Sequence, residues 1–147
     1  MSKKLTIALG LALMISLPGA ALTQEQAPAG EDAPADAVTV DVAFGVDVDR
    51  EMRELVGEAE VFGTDLERVW CLTRIRGLTP PATVTHAWYY EGKTMARVDL
   101  KVGSPDWRTW SAKRYLPAWT GHWEVKVLDE AGKVLASGSF TIEQETP

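Results

Sequence analysis

The stretch Ala96-Arg97-Val98-Asp99-Leu100-Lys101-Val102 decides the fold class. Four apolar residues alternate with three charged ones, and in an extended strand successive side chains point to opposite faces, so the segment reads as a strand with one dry and one wet face. The period recurs on both sides of it. Val38, Val40, Val42 and Phe44 oppose Thr39 and Asp41, and Trp123, Val125 and Val127 oppose His122, Glu124 and Lys126. Within Arg68 to Ile75, Val69, Cys71, Thr73 and Ile75 share a side, and Trp107 to Tyr115 forms a further candidate.

Two connections read as hairpins. Thr83–Tyr90 returns as Thr94–Val102 through Glu91-Gly92-Lys93, where glycine supplies the backbone freedom of a tight turn. His122–Val127 returns as Val134–Ile142 through Asp129-Glu130-Ala131-Gly132. This makes seven strands. Only Asp49 to Val56 reads as helical, and its Arg50, Glu51, Arg53 and Glu54 limit it to a short solvated turn; Pro80-Pro81 and Ser104-Pro105 punctuate loops. Short antiparallel strands without long intervening helices predict an all-β domain, an antiparallel two-sheet β-sandwich of immunoglobulin-like general architecture. The Cys-Trp-Cys arrangement of antibody domains is absent, and a small closed barrel is the alternative that alternation leaves open.

Ahead of the strands, Lys3 and Lys4 precede an apolar run from Leu5 to Leu17 and then Pro18-Gly19-Ala20-Ala21, the layout of a secretory signal peptide over residues 1–21. The run is shorter than the roughly 20 apolar residues of a membrane-spanning helix, so retention as an anchor is the weaker reading. Residues 22–37, LTQEQAPAGEDAPADA, are rich in Ala, Pro and acids without an aromatic and are expected to be a flexible leader, because such a segment buries too little apolar surface to offset its ordering entropy. The folded domain is then 38–147, in a product expected in the periplasm or outside the cell. No internal repeat recurs at a fixed period.

The chain has 147 residues, 46% hydrophobic and 24% charged, with a formal net charge of -6. Loss of residues 1–21, which hold two lysines and no acid, would leave -8. Without a basic run, that charge argues against a nucleic-acid partner. Cys71 is the only cysteine, which excludes an intrachain disulfide, and one thiol with two imidazoles cannot build a structural zinc site of the all-cysteine or cysteine-histidine kind.

From Arg68 onward an ordered set of motifs appears: Trp70-Cys71-Leu72-Thr73-Arg74-Ile75, His86-Ala87-Trp88-Tyr89-Tyr90, Trp107-Arg108-Thr109-Trp110-Ser111-Ala112-Lys113, Gly121-His122-Trp123-Glu124-Val125, then Gly132-Lys133-Val134-Leu135 and Phe140. This set, within Val40 to Ile142, resembles the bacterial DUF2914 family, a domain of unknown function. The resemblance implies a bacterial, β-rich extracytoplasmic module and brings no activity, substrate or catalytic residue with it.

His86 shares strand parity with Val84, Trp88 and Tyr90, which favours a hydrogen-bonded, partly buried imidazole over a ligand or general base. His122 sits with Glu124 and Lys126 on a solvated face. Cys71 reads as a small buried hydrophobe. Neither histidine adjoins an activated nucleophile, no carboxylate pair stands out, and no catalytic residue, metal site or cofactor is expected; an enzyme would require His86 in a concave pocket with a carboxylate or hydroxyl from a distant position within hydrogen-bond reach.

Six tryptophans, at 70, 88, 107, 110, 119 and 123, are many for so small a domain. Trp123 is expected in the core with Trp88 near it. Trp110 shares a face with Arg108 and Arg114, and Trp107, Thr109, Ser111, Lys113 and Tyr115 share the other. Indoles beside cations offer contact area for a partner or pack beneath the cationic stems. Arg108, Ser111 and Lys113 are a candidate acceptor for a carboxylate or phosphate, set against a bidentate arginine pair with a structural acid. The expected role is therefore a non-enzymatic, exported module that binds a protein or envelope component through an aromatic and basic surface. His86, Trp88, Tyr90, Trp107, Arg108, Trp110, Ser111 and Lys113 are its candidate residues. A carbohydrate-binding module stacking sugars on Trp88, Trp107 or Trp119 is the alternative.

Overall fold

A computed structural model describes residues 37–115 and 117–146, so the expected signal segment and all but the last residue of the expected leader lie outside the described residues. Among the described residues ten strands follow one another: β1 (Thr39–Gly45), β2 (Asp47–Asp49), β3 (Glu54–Val56), β4 (Val61–Gly63), β5 (Arg68–Arg76), β6 (Ala82–Tyr90), β7 (Lys93–Val102), β8 (Asp106–Arg114), β9 (Gly121–Leu128) and β10 (Val134–Glu143). All seven strands anticipated from alternation are present, and the three additions are only three residues long. The domain is all-β, and among the described residues no helix is long and apolar enough to cross a membrane.

The helical reading of Asp49 to Val56 is corrected. Asp47–Asp49 and Glu54–Val56 pair as an antiparallel ribbon across a tight turn. The Asp49 carboxylate accepts the amides of Glu51 and Met52, both at 2.9 Å, which winds one helix-like turn and no more. Arg53 closes that turn in the left-handed region, at φ 56°.

Two larger sheets carry the rest. β1, β5 and β8 form an antiparallel sheet in the order β1-β5-β8, and a five-stranded sheet runs β4-β10-β9-β6-β7, antiparallel except where β4 joins β10 in parallel. Both predicted hairpins form, β6–β7 and β9–β10. The first turns through two residues rather than three, Glu91 and Gly92, both with positive φ (48° and 81°) as a type I′ connection requires.

Residues of both larger sheets contribute to two buried clusters, one around Trp88, Trp123 and Phe140 and the other around Ile75, Val84, Val102 and Val127. Val69, Cys71, Thr73 and Ile75 of β5 are wholly buried, opposite Val84, His86 and Trp88 of β6 and Trp123, Val125 and Val127 of β9. Phe140 lies between the two buried indoles, its ring 6.1 Å from Trp88 and 6.0 Å from Trp123, and stacked on the latter. Burial pushes the Cys71 thiol well above its ordinary range, as suits a sulfur used for packing.

Candidate functional site

The sheet β1-β5-β8 turns its inner side to the core, and cross-strand register sets out what remains on its outer side. Paired residues in an antiparallel ladder share a face, so the rows can be read across all three strands. Ala43, Leu72 and Trp110 form one row, Gly45, Trp70 and Ala112 the next, and Asp41, Arg74 and Arg108 the row on the other side. Thr39, Arg76 and Asp106 close one end, and Arg68 faces Arg114 at the other. An apolar centre of Leu72, Trp70 and Trp110, all partly exposed, is thus bracketed by arginines in a chain whose net charge is negative.

Two of these pairs place like charges directly opposite, Arg74 with Arg108 and Arg68 with Arg114, an arrangement that destabilises a sheet. Arg74 is relieved by a bidentate pair with Asp106, at 2.9 and 2.7 Å. That hydrogen bond, with the charges of Arg74, Arg76 and Arg108 around it, holds the Asp106 carboxyl below the usual carboxylate range. Arg76 pairs with Asp41 at 2.6 Å. Arg108 enters no ion pair among the described residues.

The ribbon β2–β3 lies against this face. Leu55 stands over Gly45, where an added Cβ would meet the Val56 carbonyl at 2.7 Å and the Leu55 side chain at 3.0 Å, so glycine is what lets the ribbon close down. Beside it runs a groove of about 350 Å³ with Ala43, Leu55 and Leu72 among its walls, Glu54 and Glu58 on the ribbon side and Arg74 and Arg108 on the sheet side.

The eight residues singled out from sequence separate into four places. Arg108 and Trp110 are on the outer face. Trp107, on the edge strand β8, packs its ring against the cluster of Ile75, Val84, Val102 and Val127 and carries the Arg53 guanidinium 4.6 Å above it. Tyr90 is held by its hydroxyl donating to the Thr120 carbonyl at 2.7 Å, with its ring 5.0 Å from Trp123 and 6.3 Å from Trp119. Lys113 reaches the same aromatic end, its ammonium 5.6 Å from the Trp119 ring and donating to the Arg114 carbonyl. His86, Trp88 and Ser111 are interior, at 0%, 0% and 6% exposure, so they offer no contact surface.

The joint acceptor of Arg108, Ser111 and Lys113 is therefore corrected: Arg108 has the opposite strand parity and lies on the far side of the sheet. The alternative, a bidentate pair of that arginine with a structural acid, is not formed by Arg108 either; the bidentate pair on this face belongs to its cross-strand neighbour Arg74, with Asp106. Arg74, Arg53, Trp70, Leu72 and Asp106 were not singled out. Alternation already placed Trp70, Leu72 and Arg74 together opposite the buried residues of β5, but their alignment with β8 depends on register.

The interior three form a pin between the sheets. His86 Nδ1 lies 2.7 Å from Ser111 Oγ, His86 Nε2 lies 3.1 Å from Thr73 Oγ1, and the Trp88 indole donates to Ser111 Oγ at 3.1 Å. Thr73 donates onward to the Thr109 carbonyl at 3.4 Å. Donor accounting assigns the tautomer: with the proton on Nε2, His86 donates to Thr73 and accepts from Ser111, and every hydroxyl hydrogen has an acceptor. Burial drives the imidazole pKa down to about 4, so it is neutral at ordinary pH. A serine donating to a histidine also occurs in hydrolases, but here neither residue lines any of the described cavities. Among the described residues no group of three or more His, Cys, Asp or Glu side chains is placed to hold a metal ion.

These features define an all-β module with a polar pin in its core and a basic, aromatic outer face. Residues 81–142, from the start of β6 to near the end of β10, match the model of the family described as "Protein of unknown function (DUF2914)", which bears out the resemblance over that segment. No curated protein matches the chain. Among solved structures it is similar to the CARDB domain of the PF1109 protein in complex with di-metal ions from Pyrococcus furiosus, at 14% identity over 74% of this chain and 92% of that one, with a TM-score of 0.45. It is also similar to a β-glucosidase from Listeria innocua in complex with glucose, at 5% identity over 72% of this chain and 16% of that one, with a TM-score of 0.41.

Proposed function

We propose that the protein is an exported, non-enzymatic β-sandwich module of immunoglobulin-like architecture that binds a protein component of the cell envelope through the outer face of β1-β5-β8. The observation that carries this reading is the apolar row of Leu72 and Trp110 beside Trp70, partly exposed and bracketed by arginines at both ends. Aromatic and arginine side chains supply much of the energy of protein interfaces because they combine contact area with directional hydrogen bonding. The outer face of the five-stranded sheet contrasts with it. There Glu124 lies 3.8 Å from Lys126, and Thr85 donates to Asp99 at 2.7 Å, so these four polar groups are paired with one another.

Sugar stacking has less support. Trp88 is sealed in the core, and Trp107 and Trp119 each carry a cation over the ring, Arg53 and Lys113, which a sugar would have to displace. For catalysis, the paired hydroxyl and imidazole are packed inside.

The test is the double variant Trp110→Ser with Arg108→Ser, compared with the parent for retention on purified envelope proteins. Both side chains are on the surface, so the thermal midpoint is expected to stay within a few degrees while retention falls at least tenfold. Unchanged retention at unchanged stability would remove the face as the interface.

A further inference from the structure

We propose that the basic end of this face is a binding site for a phosphoryl dianion, held by Arg53, Arg74 and Arg108. The three guanidiniums and Asp106 line one depression of about 280 Å³ at the free edge of the three-stranded sheet. Asp106 offsets one positive charge, through its bidentate contact with Arg74. Arg53 and Arg108 enter no ion pair among the described residues, so the depression carries two uncompensated positive charges. A phosphate monoester carries about -1.5 to -2 at neutral pH and presents three acceptor oxygens, which suits two forked donors in charge and in the number of hydrogen bonds they can supply.

Three elements are needed to assemble the cluster. The register of β5 with β8 puts Arg74 directly opposite Arg108, and Asp106 relieves Arg74 alone by direct pairing, leaving the Arg108 guanidinium without an acid of its own. The turn between β2 and β3 brings in Arg53, whose guanidinium is steadied on the Trp107 ring at 4.6 Å. Arg53 enters no ion pair among the described residues, so its forked N–H donors are not taken up by an acid. Asp41, which pairs with Arg76, and Glu54 and Glu58 line the adjoining groove and set the boundary of the site, since a ligand carrying further negative charge along the groove would meet them.

The site deepens the reading of this face as the binding surface, by giving the partner a phosphorylated group. Calorimetric titration of the whole protein with inorganic phosphate and with glycerol 3-phosphate, at constant ionic strength against chloride, tests it. Saturable binding is expected, weakened at least tenfold in Arg53→Gln with Arg108→Gln and largely retained in Arg97→Gln, an exposed arginine on β7. Tighter binding of the ester assigns the group to a phosphorylated molecule, and tighter binding of inorganic phosphate assigns it to the free ion. No saturable binding of either probe, or equal affinity in the double glutamine variant, overturns the proposal. If phosphate fails to bind while the Trp110 and Arg108 serine variant still loses envelope retention, the anion site falls and the interface stands. If phosphate binding depends on the arginines but retention does not depend on Trp110 and Arg108, the interface falls and the anion site stands.

Discussion

Replacing Trp88 with alanine is expected to lower the stability of the domain by about 4 kcal/mol, whereas Trp110→Ala should lower it by about 1 kcal/mol or less. The difference follows from position. Trp88 is wholly buried, packs edge-on against Phe140 at 6.1 Å and donates its indole N–H to Ser111, so alanine leaves both a cavity and an acceptor short of a donor. Trp110 stands on the outer face beside Leu72, where solvent fills the space it leaves. A domain of this size is stable by roughly 5 to 15 kcal/mol, so Trp88→Ala consumes a large share of the total and moves the urea midpoint by about 2 M. Trp88→Phe, which keeps most of the volume, should recover more than half of the loss. A parent-like urea midpoint for Trp88→Ala would show that the indole is not part of the shared core.

The second large effect is a loss of stability on mild acidification. His86 is held neutral in the folded chain with its pKa near 4, while the unfolded chain has the ordinary value near 6.5. A depressed histidine pKa means that, between these values, the unfolded state binds a proton that the folded state refuses. Stability from this group is therefore complete above about pH 7, declines as pH falls through 6.5, and has been lost by about pH 4. Two and a half units correspond to about 3 kcal/mol. Urea unfolding of the parent and of His86→Gln between pH 7.5 and 4.5 isolates the contribution, because carboxylates titrate in both. The parent curve is expected to fall more steeply, with the difference concentrated between pH 6.5 and 4.5. Parallel curves would mean that the imidazole is hydrated or already charged in the folded state.

The same residue shows what the sequence could and could not convey. Parity with Val84 and Trp88 suggested a partly buried His86, because side-chain direction in a strand is a local property, but it did not reveal that the imidazole is fully enclosed and offers no contact surface. Its partners were not visible. Thr73 is 13 residues away and Ser111 is 25, and both reach it from strands of a different sheet, β5 and β8.

Arg108, Ser111 and Lys113 illustrate the converse. They are neighbours in sequence, yet alternation already assigned Arg108 to one side and the other two to the opposite side, and the sheet keeps them there. Arg74 and Asp106 meet because β5 and β8 align to within a diagonal step, a register that tertiary packing sets. The ribbon that supplies Arg53 was read as helical because its strands are three residues long and its turn, capped by Asp49, has helical character. Val46-Asp47-Val48-Asp49 carried the alternating signal of the first of these strands, over too short a span to outweigh the charged residues after it.

The central claim, that the domain meets its partner with the outer face of β1-β5-β8, is tested most directly by site-specific photocrosslinking in cells. A photoreactive phenylalanine derivative would be placed either at position 110 or at position 137, which lies exposed on the outer face of the five-stranded sheet. The account predicts a discrete adduct from position 110 and none from position 137. An adduct from position 137 alone, or none from 110 in a folded protein, would contradict it.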